Sequence, residues 1–360
     1  MSVIHILPFD LARGAQRYAR ALVDRLDSSD DRHLILTLFR TEPVLLKADV
    51  ELDVPQGSLR RLGLDPRVVF RLRRALRQLR PSAVVAHGGE PAKYATLAAP
   101  KHLPIAYLSI GSAHPNLRRP LSRALHRRYT RRADVVVAVS SDVAREARDL
   151  HGVPEQRVVV IPNGRDAEIF RPRASPGKGR VRLIFVGHLD PGKRPDRFID
   201  LVGELGKRGF EVEARMVGEG PLAEDIRPAA EEAGVAILGR RDDVAELMAD
   251  SDILVMTSRP PEGMPGVLIE AGLSGLAVVS TRIPGSGDVI EDGVTGLLVD
   301  IDDFAALVDA VGLLVTDTET RVEMGTRARA VCLERFTLEA TAGRWRQVLD
   351  ELTGAPSTIG

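Results

Sequence analysis

Short aliphatic runs alternate with stretches of helical periodicity along the whole chain. The runs are typical of buried parallel strands, and the segments between them place apolar residues three or four positions apart. Predicted strands in the first half are 3–7, 33–38, 83–86, 105–108, 135–139 and 158–161, and in the second half 182–186, 212–217, 235–238, 253–256, 277–280 and 296–299. Predicted helices of the second half are 194–208, 221–233, 243–249, 266–274, 302–315, 319–334 and 337–352. This alternation predicts an α/β protein with open, mostly parallel, doubly wound sheets.

The segment 162–179 interrupts the alternation, because it concentrates proline and glycine as linkers do. The sequence therefore predicts an N-terminal Rossmann-like domain over 1–168, a second one over 169–336, and a terminal helix over 337–360. Ligands of doubly wound sheets bind outside the carboxyl ends of the strands. With two such sheets facing each other, we expect the site in a cleft between the domains.

Composition narrows the class of protein. Cys332 is the single cysteine, which excludes an intrachain disulfide framework and a cysteine zinc site. No leader pattern opens the chain, and no run of eighteen apolar residues occurs, so we expect a cytoplasmic protein. The net charge is zero, but residues 1–170 carry 28 Lys and Arg against 18 Asp and Glu. The basic half and the acidic half are expected to meet different partners.

The segment 258–274, SRPPEGMPGVLIEAGLS, carries the most chemistry. A helix is predicted to begin near Gly266, and the free N–H groups of a helix N-terminus suit a phosphate. Glu262 precedes that turn and Glu270 follows it by eight positions, and a carboxylate can accept hydrogen bonds from two ribose hydroxyls. On spacing alone, a loop glutamate and an amphipathic helix remain the simpler interpretation.

Two other segments follow predicted strands. In 185–196, FVGHLDPGKRPD, a loop with Gly187, Lys193 and Arg194 leads into a helix and could hold a pyrophosphate. A solvated pair of cations explains it equally well. In 11–17, LARGAQR, Gly14 lets backbone approach a phosphate, although a tight turn also needs a glycine.

Together these segments resemble the retaining glycosyltransferases of family 4. The likeness covers nearly the whole chain and rests on EGMPGVLIEAGLSGLAVV with its two glutamates, VGHLDPGKRPD, VGEGPLAEDI, IPNGRDAEIF and IEDGVTGLLV. It implies the GT-B fold, in which two Rossmann-like domains face a cleft and the C-terminal helix packs back toward the N-domain. It also implies transfer of a sugar from a UDP- or GDP-sugar to a hydroxyl, in bacterial surface polysaccharide, glycolipid or secondary-metabolite glycosylation.

The resemblance assigns roles to particular residues. His87, Lys193 and Glu262 become the candidate catalytic residues, with His87 at the sugar, Lys193 at the pyrophosphate and Glu262 beside the transferred sugar. Glu270 would hold the ribose, and Gly14 would approach the phosphates from the N-domain. The remaining donor-binding candidates are Gly187, His188, Arg194, Gly239, Arg240, Arg241, Gly263, Met264, Pro265, Gly266 and Val267.

Several positions depart from the family pattern. His188 stands where the family has arginine, so a fixed charge is missing, and Arg194 is expected to compensate. Arg13-Gly14 replaces a glycine pair, and Asp288 replaces a glutamate. A further family histidine is replaced by Ile110 or displaced to His114. These changes bear on the donor more than on the reaction class.

The resemblance also implies a front-face reaction without a protein nucleophile, with the anomeric configuration retained. No Asp-x-Asp in a strand-end loop suggests a metal–diphosphate site, and Asp242-Asp243 and Asp302-Asp303 are typical of helix N-termini, so we predict no cofactor and no metal. Arginines crowd two parts of the N-terminal half and favour an anionic or lipid-linked acceptor, with peripheral contact to the inner face of the plasma membrane; solvated helix faces are the alternative. They are Arg71, Arg73, Arg74, Arg77 and Arg80, and then Arg118, Arg119, Arg123, Arg127, Arg128, Arg131 and Arg132.

Other functions stay open at this point. A sugar-nucleotide epimerase or a non-catalytic nucleotide-sugar-binding protein could share the fold, since fold does not fix function. A nicotinamide dehydrogenase is disfavoured because no GxGxxG follows an early strand. Nucleic acid is disfavoured because aromatic residues make up only 4% of the chain.

Overall fold

The computed structural model describes residues 1–9, 14–40, 47–57, 60, 63–111, 120–173 and 179–354. They form two compact units. The N-unit comprises Met1–Gly164 with Leu338–Gly360, and the C-unit comprises Arg165–Thr337. The sequence placed the corresponding boundaries at 168/169 and 336/337. The first of them falls in the linker predicted over 162–179, whose residues 174–178 lie outside the described part. Each unit has a parallel sheet and its own apolar core.

The sheet of the N-unit has seven strands in the order β3-β2-β1-β4-β5-β6-β7. The strands are β1 Ser2–Leu7, β2 Arg32–Phe39, β3 Val50–Val54, β4 Ala83–His87, β5 Ile105–Ser109, β6 Val135–Ala138 and β7 Val158–Val160. The helices are α1 Gly14–Leu26, α2 Pro66–Leu79, α3 Gly89–Ala98, α4 Pro120–Arg132, α5 Ser141–Asp149 and, from the end of the chain, α13 Leu338–Thr353. The strand order reverses direction between β1 and β4, which therefore mark the switch point of this sheet.

The last helix, α13, completes the N-unit although it follows the whole C-unit in sequence. It packs against α1. Trp345 is fully buried there, and its indole Nε1 donates to the Tyr18 hydroxyl at 3.2 Å. The expectation that the terminal helix packs back on the N-terminal domain is confirmed.

The sheet of the C-unit has six strands in the order β10-β9-β8-β11-β12-β13. The strands are β8 Val181–Val186, β9 Val212–Val217, β10 Val235–Ile237, β11 Ile253–Met256, β12 Ala277–Thr281 and β13 Leu297–Val299. The helices are α6 Pro195–Lys207, α7 Arg227–Ala233, α8 Val244–Ala249, α9 Gly266–Leu273, α10 Ser286–Val289, α11 Phe304–Thr316 and α12 Thr318–Arg335. Here the order reverses between β8 and β11, so the segments after these two strands flank the switch point.

Strand β3 has no counterpart among the predicted strands. Its sequence, VELDV, places two acidic residues in five, and it pairs only with β2 at the edge of the sheet. An edge strand exposes one side to water and tolerates charge, so it lacks the aliphatic run by which the central strands are recognised.

None of the helices built from described residues combines the length and apolar character needed to cross a bilayer.

Candidate functional site

The loop that follows β8 is fixed to its neighbours along its whole length. The Gly187 N–H donates to the Val217 carbonyl at 3.0 Å, and the Leu189 N–H donates to Glu219 at 2.9 Å. Asp190 Oδ1 accepts from the backbone N–H of Gly192 at 2.8 Å and of Lys193 at 3.0 Å. These bonds fold the loop into a turn with Lys193 near its end.

The end of this loop is also tied to β11. The Thr257 hydroxyl, just after that strand, donates to the carbonyls of Lys193 at 3.0 Å and Arg194 at 2.8 Å. Two chain segments from opposite sides of the switch point are therefore held together by hydrogen bonds from one side chain to the backbone.

Lys193 and Glu262 form an ion pair at this point. Lys193 Nζ donates to Glu262 Oε1 at 2.5 Å, and the two side chains are 28% and 15% exposed. The bond is charge-assisted and partly buried, yet the ammonium keeps contact with solvent. Lys193 thus carries a cation at the carboxyl end of the sheet while remaining accessible to an anion.

Glu270 pairs with a residue that sequence reasoning did not single out, Arg165. Arg165 Nε donates to Glu270 Oε1 at 2.6 Å, and both side chains are less than one-fifth exposed. The guanidinium lies over the first residue of α9, since a Cβ added to Gly266 would stand 1.7 Å from Arg165 Nη2. A side chain at position 266 would displace the guanidinium from this place, and Glu270 has one carboxylate oxygen bound to it.

The sequence contained a motif that could have drawn attention to Arg165. It occupies the centre of IPNGRDAEIF, a segment that contributed to the family resemblance without any role being assigned to its charge. Its backbone N–H donates to the Phe336 carbonyl at 2.9 Å, which places this segment beside the end of α12. Sequence spacing alone could not find this pairing, because 105 positions separate Arg165 from Glu270.

The segment from Gly263 to Val267 forms the turn before α9. Met264 is buried, and Pro265 immediately precedes the helix with φ −72°. Gly285, at φ 78°, packs so closely that a Cβ there would lie 2.3 Å from the Gly263 carbonyl oxygen. Asp288, at the family's glutamate position, lies on α10 directly after this contact.

The other cations of the C-unit that sequence analysis proposed are paired with neighbouring acids. Arg194, which was expected to compensate for His188, directs Nε at Asp196 Oδ2 at 3.0 Å. His188 itself is exposed. Arg241 forms two bonds to Asp243 at 2.7 and 2.5 Å, and Arg240 lies 3.8 Å from Glu219.

Gly239 forms the turn after β10. It has φ 67°, and its carbonyl accepts from the Gly218 N–H at 2.9 Å. The structure thus places the C-unit candidates in the segments that follow β8, β10 and β11, on loops and on α9, and brings Lys193 and Glu262 into direct contact.

The two candidates of the N-unit flank the switch point of their own sheet. His87 ends β4 and is only 3% exposed, with Nε2 3.0 Å from His5 Nδ1. Burial lowers the pKa of His87 to about 3, so its imidazole is neutral near pH 7. Gly14 begins α1, and a Cβ at that position would meet open space. Arg13 and His114 lie outside the described residues, and Ile110 follows β5 with 36% of its surface exposed.

Two family models match successive parts of the chain. Residues 12–169 match the model described as Glycosyltransferase Family 4, and residues 180–317 match that described as Glycosyl transferases group 1. The chain is 29% identical over 228 residues to N-acetyl-alpha-D-glucosaminyl L-malate synthase of Bacillus anthracis, an alignment that covers 60% of this chain and 59% of the relative. It is 30% identical over 251 residues to the GDP-mannose-dependent alpha-(1-6)-phosphatidylinositol monomannoside mannosyltransferase of Mycolicibacterium smegmatis, covering 64% and 65%.

These alignments thus span about three fifths of the length of the curated relatives. Among solved structures, HepE of Anabaena in complex with UDP superimposes with a TM-score of 0.82 at 20% identity, covering 98% of this chain and 100% of HepE. That likeness extends over both units and establishes the architecture. The chain belongs to glycosyltransferase family 4 and has the GT-B fold.

Proposed function

We propose that this protein is a retaining glycosyltransferase that transfers a sugar from a UDP- or GDP-sugar to a hydroxyl acceptor. The observation that carries the proposal is the grouping of Lys193, Glu262 and Glu270 beside the N-terminus of α9, at the switch point of the C-unit sheet. This is where doubly wound sheets bind nucleotides, and the residue types match a diphosphate, a sugar and a ribose. Membership of family 4 supports the same reaction class.

The donor diphosphate is assigned to Lys193 and the first turn of α9. In the unliganded protein, Lys193 is neutralised by Glu262. A diphosphate carries more negative charge than one carboxylate, so it competes for the ammonium and leaves Glu262 able to accept hydrogen bonds from sugar hydroxyls. The N-terminus of α9 adds a further partial positive charge, and the backbone from Gly263 to Val267 is assigned to contact the phosphates and the sugar.

The nucleoside is assigned to Glu270 and to the turn after β10. Glu270 Oε2 remains for the ribose hydroxyls while Oε1 stays on Arg165. Gly239, Arg240 and Arg241 lie on the neighbouring loop and are assigned to the base. A UDP complex of HepE and the GDP-mannose dependence of the mycobacterial relative are why uridine and guanosine are the two bases to test first.

The chemistry is stabilisation of a departing diphosphate. The bond between the anomeric carbon and the phosphate oxygen breaks while positive charge grows on the sugar ring. Lys193 and the α9 N-terminus stabilise the negative charge that develops on the leaving group. The acceptor oxygen bonds to the anomeric carbon on the face that the diphosphate leaves, and the leaving phosphate takes the proton of that hydroxyl, so the configuration is retained. We propose that no metal is needed, and activity should survive EDTA.

The direct experiment follows nucleoside diphosphate release from UDP- and GDP-sugars, with and without a panel of hydroxyl acceptors. Acceptor-dependent release, with an α-linked product from an α-configured donor by NMR, is the expected result. Conversion of the sugar nucleotide without acceptor would indicate an epimerase. Tight nucleotide binding without any turnover would indicate a non-catalytic subunit. An inverted anomeric centre would overturn the retaining mechanism alone.

For the acceptor we propose an anionic or lipid-linked molecule reached at a membrane surface by α2. Phe70 on this helix is 69% exposed, and Arg74 and Arg77 are exposed on the turns that follow. Not every arginine of the helix is available, because Arg71 donates to the Leu52 carbonyl and Arg73 donates to that of Leu97. Of the second basic region, Arg118 and Arg119 lie outside the described residues.

An exposed aromatic ring beside arginines suits an anionic interface, where each arginine contributes about 1 kcal/mol. The chain should co-sediment with vesicles rich in phosphatidylglycerol and not with phosphatidylcholine vesicles. Arg74→Ala with Arg77→Ala should weaken this binding about tenfold or more. Exchange of Lys207, an exposed cation of the C-unit, for alanine is the matched control. Equal binding by both proteins would contradict the assignment to α2.

A further inference from the structure

Three buried histidines form a continuous hydrogen-bonded row across the sheet of the N-unit. His5 Nδ1 lies 3.0 Å from His87 Nε2, and His5 Nε2 lies 3.0 Å from His33 Nδ1. Their exposed fractions are 0% for His5, 4% for His33 and 3% for His87. Only His87 was singled out by the family resemblance, so two buried imidazoles are left without a role.

The register of the strands explains the direction of the row. His5 stands opposite Ile35 on β2 and Val85 on β4. His33 is two positions before Ile35, and His87 is two positions after Val85, so all three rings share one face of the sheet. The row therefore runs diagonally, from the beginning of β2, through the middle of β1, to the carboxyl end of β4.

All three rings are neutral near pH 7. Burial is the main cause, lowering the pKa of His33 to about 4, that of His87 to about 3, and that of His5 well below its ordinary value. A neutral imidazole has one N–H and one bare nitrogen. Because both nitrogens of His5 are used, His5 must donate to one neighbour and accept from the other.

This requirement couples the three tautomers. If His5 carries its proton on Nδ1, it donates to His87 Nε2, and His33 must donate from Nδ1. If His5 carries its proton on Nε2, it donates to His33 Nδ1, and His87 must donate from Nε2. The rings are thus all Nδ1–H or all Nε2–H. Conversion moves one proton along each bond, with one proton entering at one end of the row and one leaving at the other.

We propose that His5 and His33 are positioning residues that set the tautomer of His87, and thereby decide whether His87 Nδ1 donates or accepts a hydrogen bond. The role at the sugar rests on the proposed function, since that function gives His87 a ligand. The row itself does not depend on it. A neutral acceptor nitrogen suits a site where positive charge builds on a sugar ring, because it takes a hydroxyl hydrogen bond without adding a cation.

The charged groups around His33 favour the arrangement in which all three rings carry their proton on Nε2. Asp31 and Asp27 raise the proton affinity of this ring, and their effects exceed the opposing ones of Arg346 and the N-terminal ammonium. Asp27 also accepts from the backbone N–H of His33 at 2.8 Å. Nδ1 of His33 is turned toward His5, so we expect the proton that these acids favour on the outer Nε2. His87 Nδ1 is then the bare, accepting nitrogen. Arg20 is the charged group that acts on His5.

The test uses the full chain labelled with ¹⁵N-histidine and long-range ¹H–¹⁵N NMR at pH 7.5, which separates the two neutral tautomers of each ring. The expected spectrum shows His5, His33 and His87 all as the Nε2–H form. In His5→Leu, which removes both hydrogen bonds, His87 should become a mixture of tautomers. Leu36→Ala is the matched control, because Leu36 is buried on the opposite face of the same sheet, and this change should leave the three tautomers unchanged.

His5→Gln keeps the experiment decisive if His5→Leu does not fold. An amide both donates and accepts, so this variant should hold His87 in a single tautomer and restore activity lost in His5→Leu. In the transfer assay, His5→Leu should lower kcat about tenfold or more with the KM for the donor unchanged within about twofold. Mixed tautomers along the row in the unaltered chain, or a His87 tautomer indifferent to His5→Leu, would overturn the proposal. An ordered row in a protein without transferase activity would refute the proposed function instead.

Discussion

At the scale of single residues, each glutamate of the EGMPGVLIE segment is held by a cation from a distant part of the C-unit. Glu262 is bound by Lys193 and Glu270 by Arg165. Each pair balances the charge of a partly buried carboxylate, which would be costly if it were left unpaired. Under the proposed function, Lys193 is the member that exchanges its partner for a phosphate.

Lys193→Ala should lower kcat/KM by about a hundredfold or more, corresponding to loss of roughly 3 kcal/mol of transition-state stabilisation. Arg194→Ala is the matched comparison, since Arg194 is the next residue but is paired with Asp196. Steady-state kinetics with the preferred donor should show a much smaller loss for it. Equal losses in the two variants would contradict the assignment of the diphosphate to Lys193.

The buried histidines predict a pH dependence of stability. The folded-state pKa values of His33 and His87, about 4 and about 3, lie below the unfolded value of 6.5. The unfolded chain therefore binds more protons below pH 6.5, and stability is lost as the pH falls. Between pH 7.5 and 5.5 each ring should cost about 1 kcal/mol.

Urea unfolding of the N-unit at the two pH values measures this loss. His33→Gln should flatten the dependence, whereas His102→Gln, at an exposed histidine, should not. An unchanged slope in His33→Gln would show that this ring does not titrate as its burial requires.

At this scale, the sequence predicted which residues belong to the candidate site but not which residues they pair with. Lys193, Glu262 and Glu270 are recognisable because each follows a strand within a characteristic motif. Their ion pairs are set by the strand order, which brings together loops far apart in the chain. The histidine row was missed for the same reason, because it needs the register of three strands rather than any local pattern.

At the scale of elements, the candidate site depends on two loops whose backbones come into close contact at glycine residues. Gly218, after β9, has φ 149°, and a Cβ on it would lie 1.8 Å from the Gly187 carbonyl oxygen. That contact joins the ends of β8 and β9 directly before the Lys193 loop. The aliphatic runs predicted these strands well, since buried parallel strands leave a strong local signal. The close contact between the loops after these strands has no such local signal in the sequence.

Gly218→Ala should destabilise the C-unit by about 3 kcal/mol, because the added Cβ meets backbone that cannot move away and the φ value is unfavourable. Gly206→Ala is the control, since that glycine lies on α6 with open space around it. It should be neutral or stabilising by up to about 1 kcal/mol. Chemical denaturation compares the two, and a tolerated Gly218→Ala would refute the close approach.

At the scale of the whole molecule, the chain forms two units with separate cores. Its last segment, Leu338–Gly360, belongs to the N-unit. The periodicity of the sequence predicted the terminal helix, and the family resemblance predicted that it packs on the N-terminal domain. Its anchoring by Trp345 on Tyr18 could not be read from sequence, because these residues are 327 positions apart.

Trp345→Ala should destabilise the N-unit by roughly 3–5 kcal/mol, as expected for removal of a fully buried indole. We predict that a nucleotide stabilises only the C-unit transition, which should keep its midpoint in this variant. Calorimetry with and without nucleotide separates the two transitions. Gln347→Ala, an exposed change on the same helix, should move neither. A loss confined to the nucleotide-sensitive transition would contradict the assignment of α13 to the N-unit.

The central claim is a nucleotide site in the C-unit with Glu270 at the ribose, and thermal unfolding against UDP, GDP, ADP and dTDP tests it most directly. A ligand at a hundred times its Kd should add about 2.7 kcal/mol of stability, a shift of several degrees. We predict such a shift with UDP or GDP, its loss in Glu270→Ala, and its retention in Glu232→Ala, an exposed glutamate of α7. No shift with any of the four nucleotides, or an equal shift in Glu270→Ala, would contradict the account.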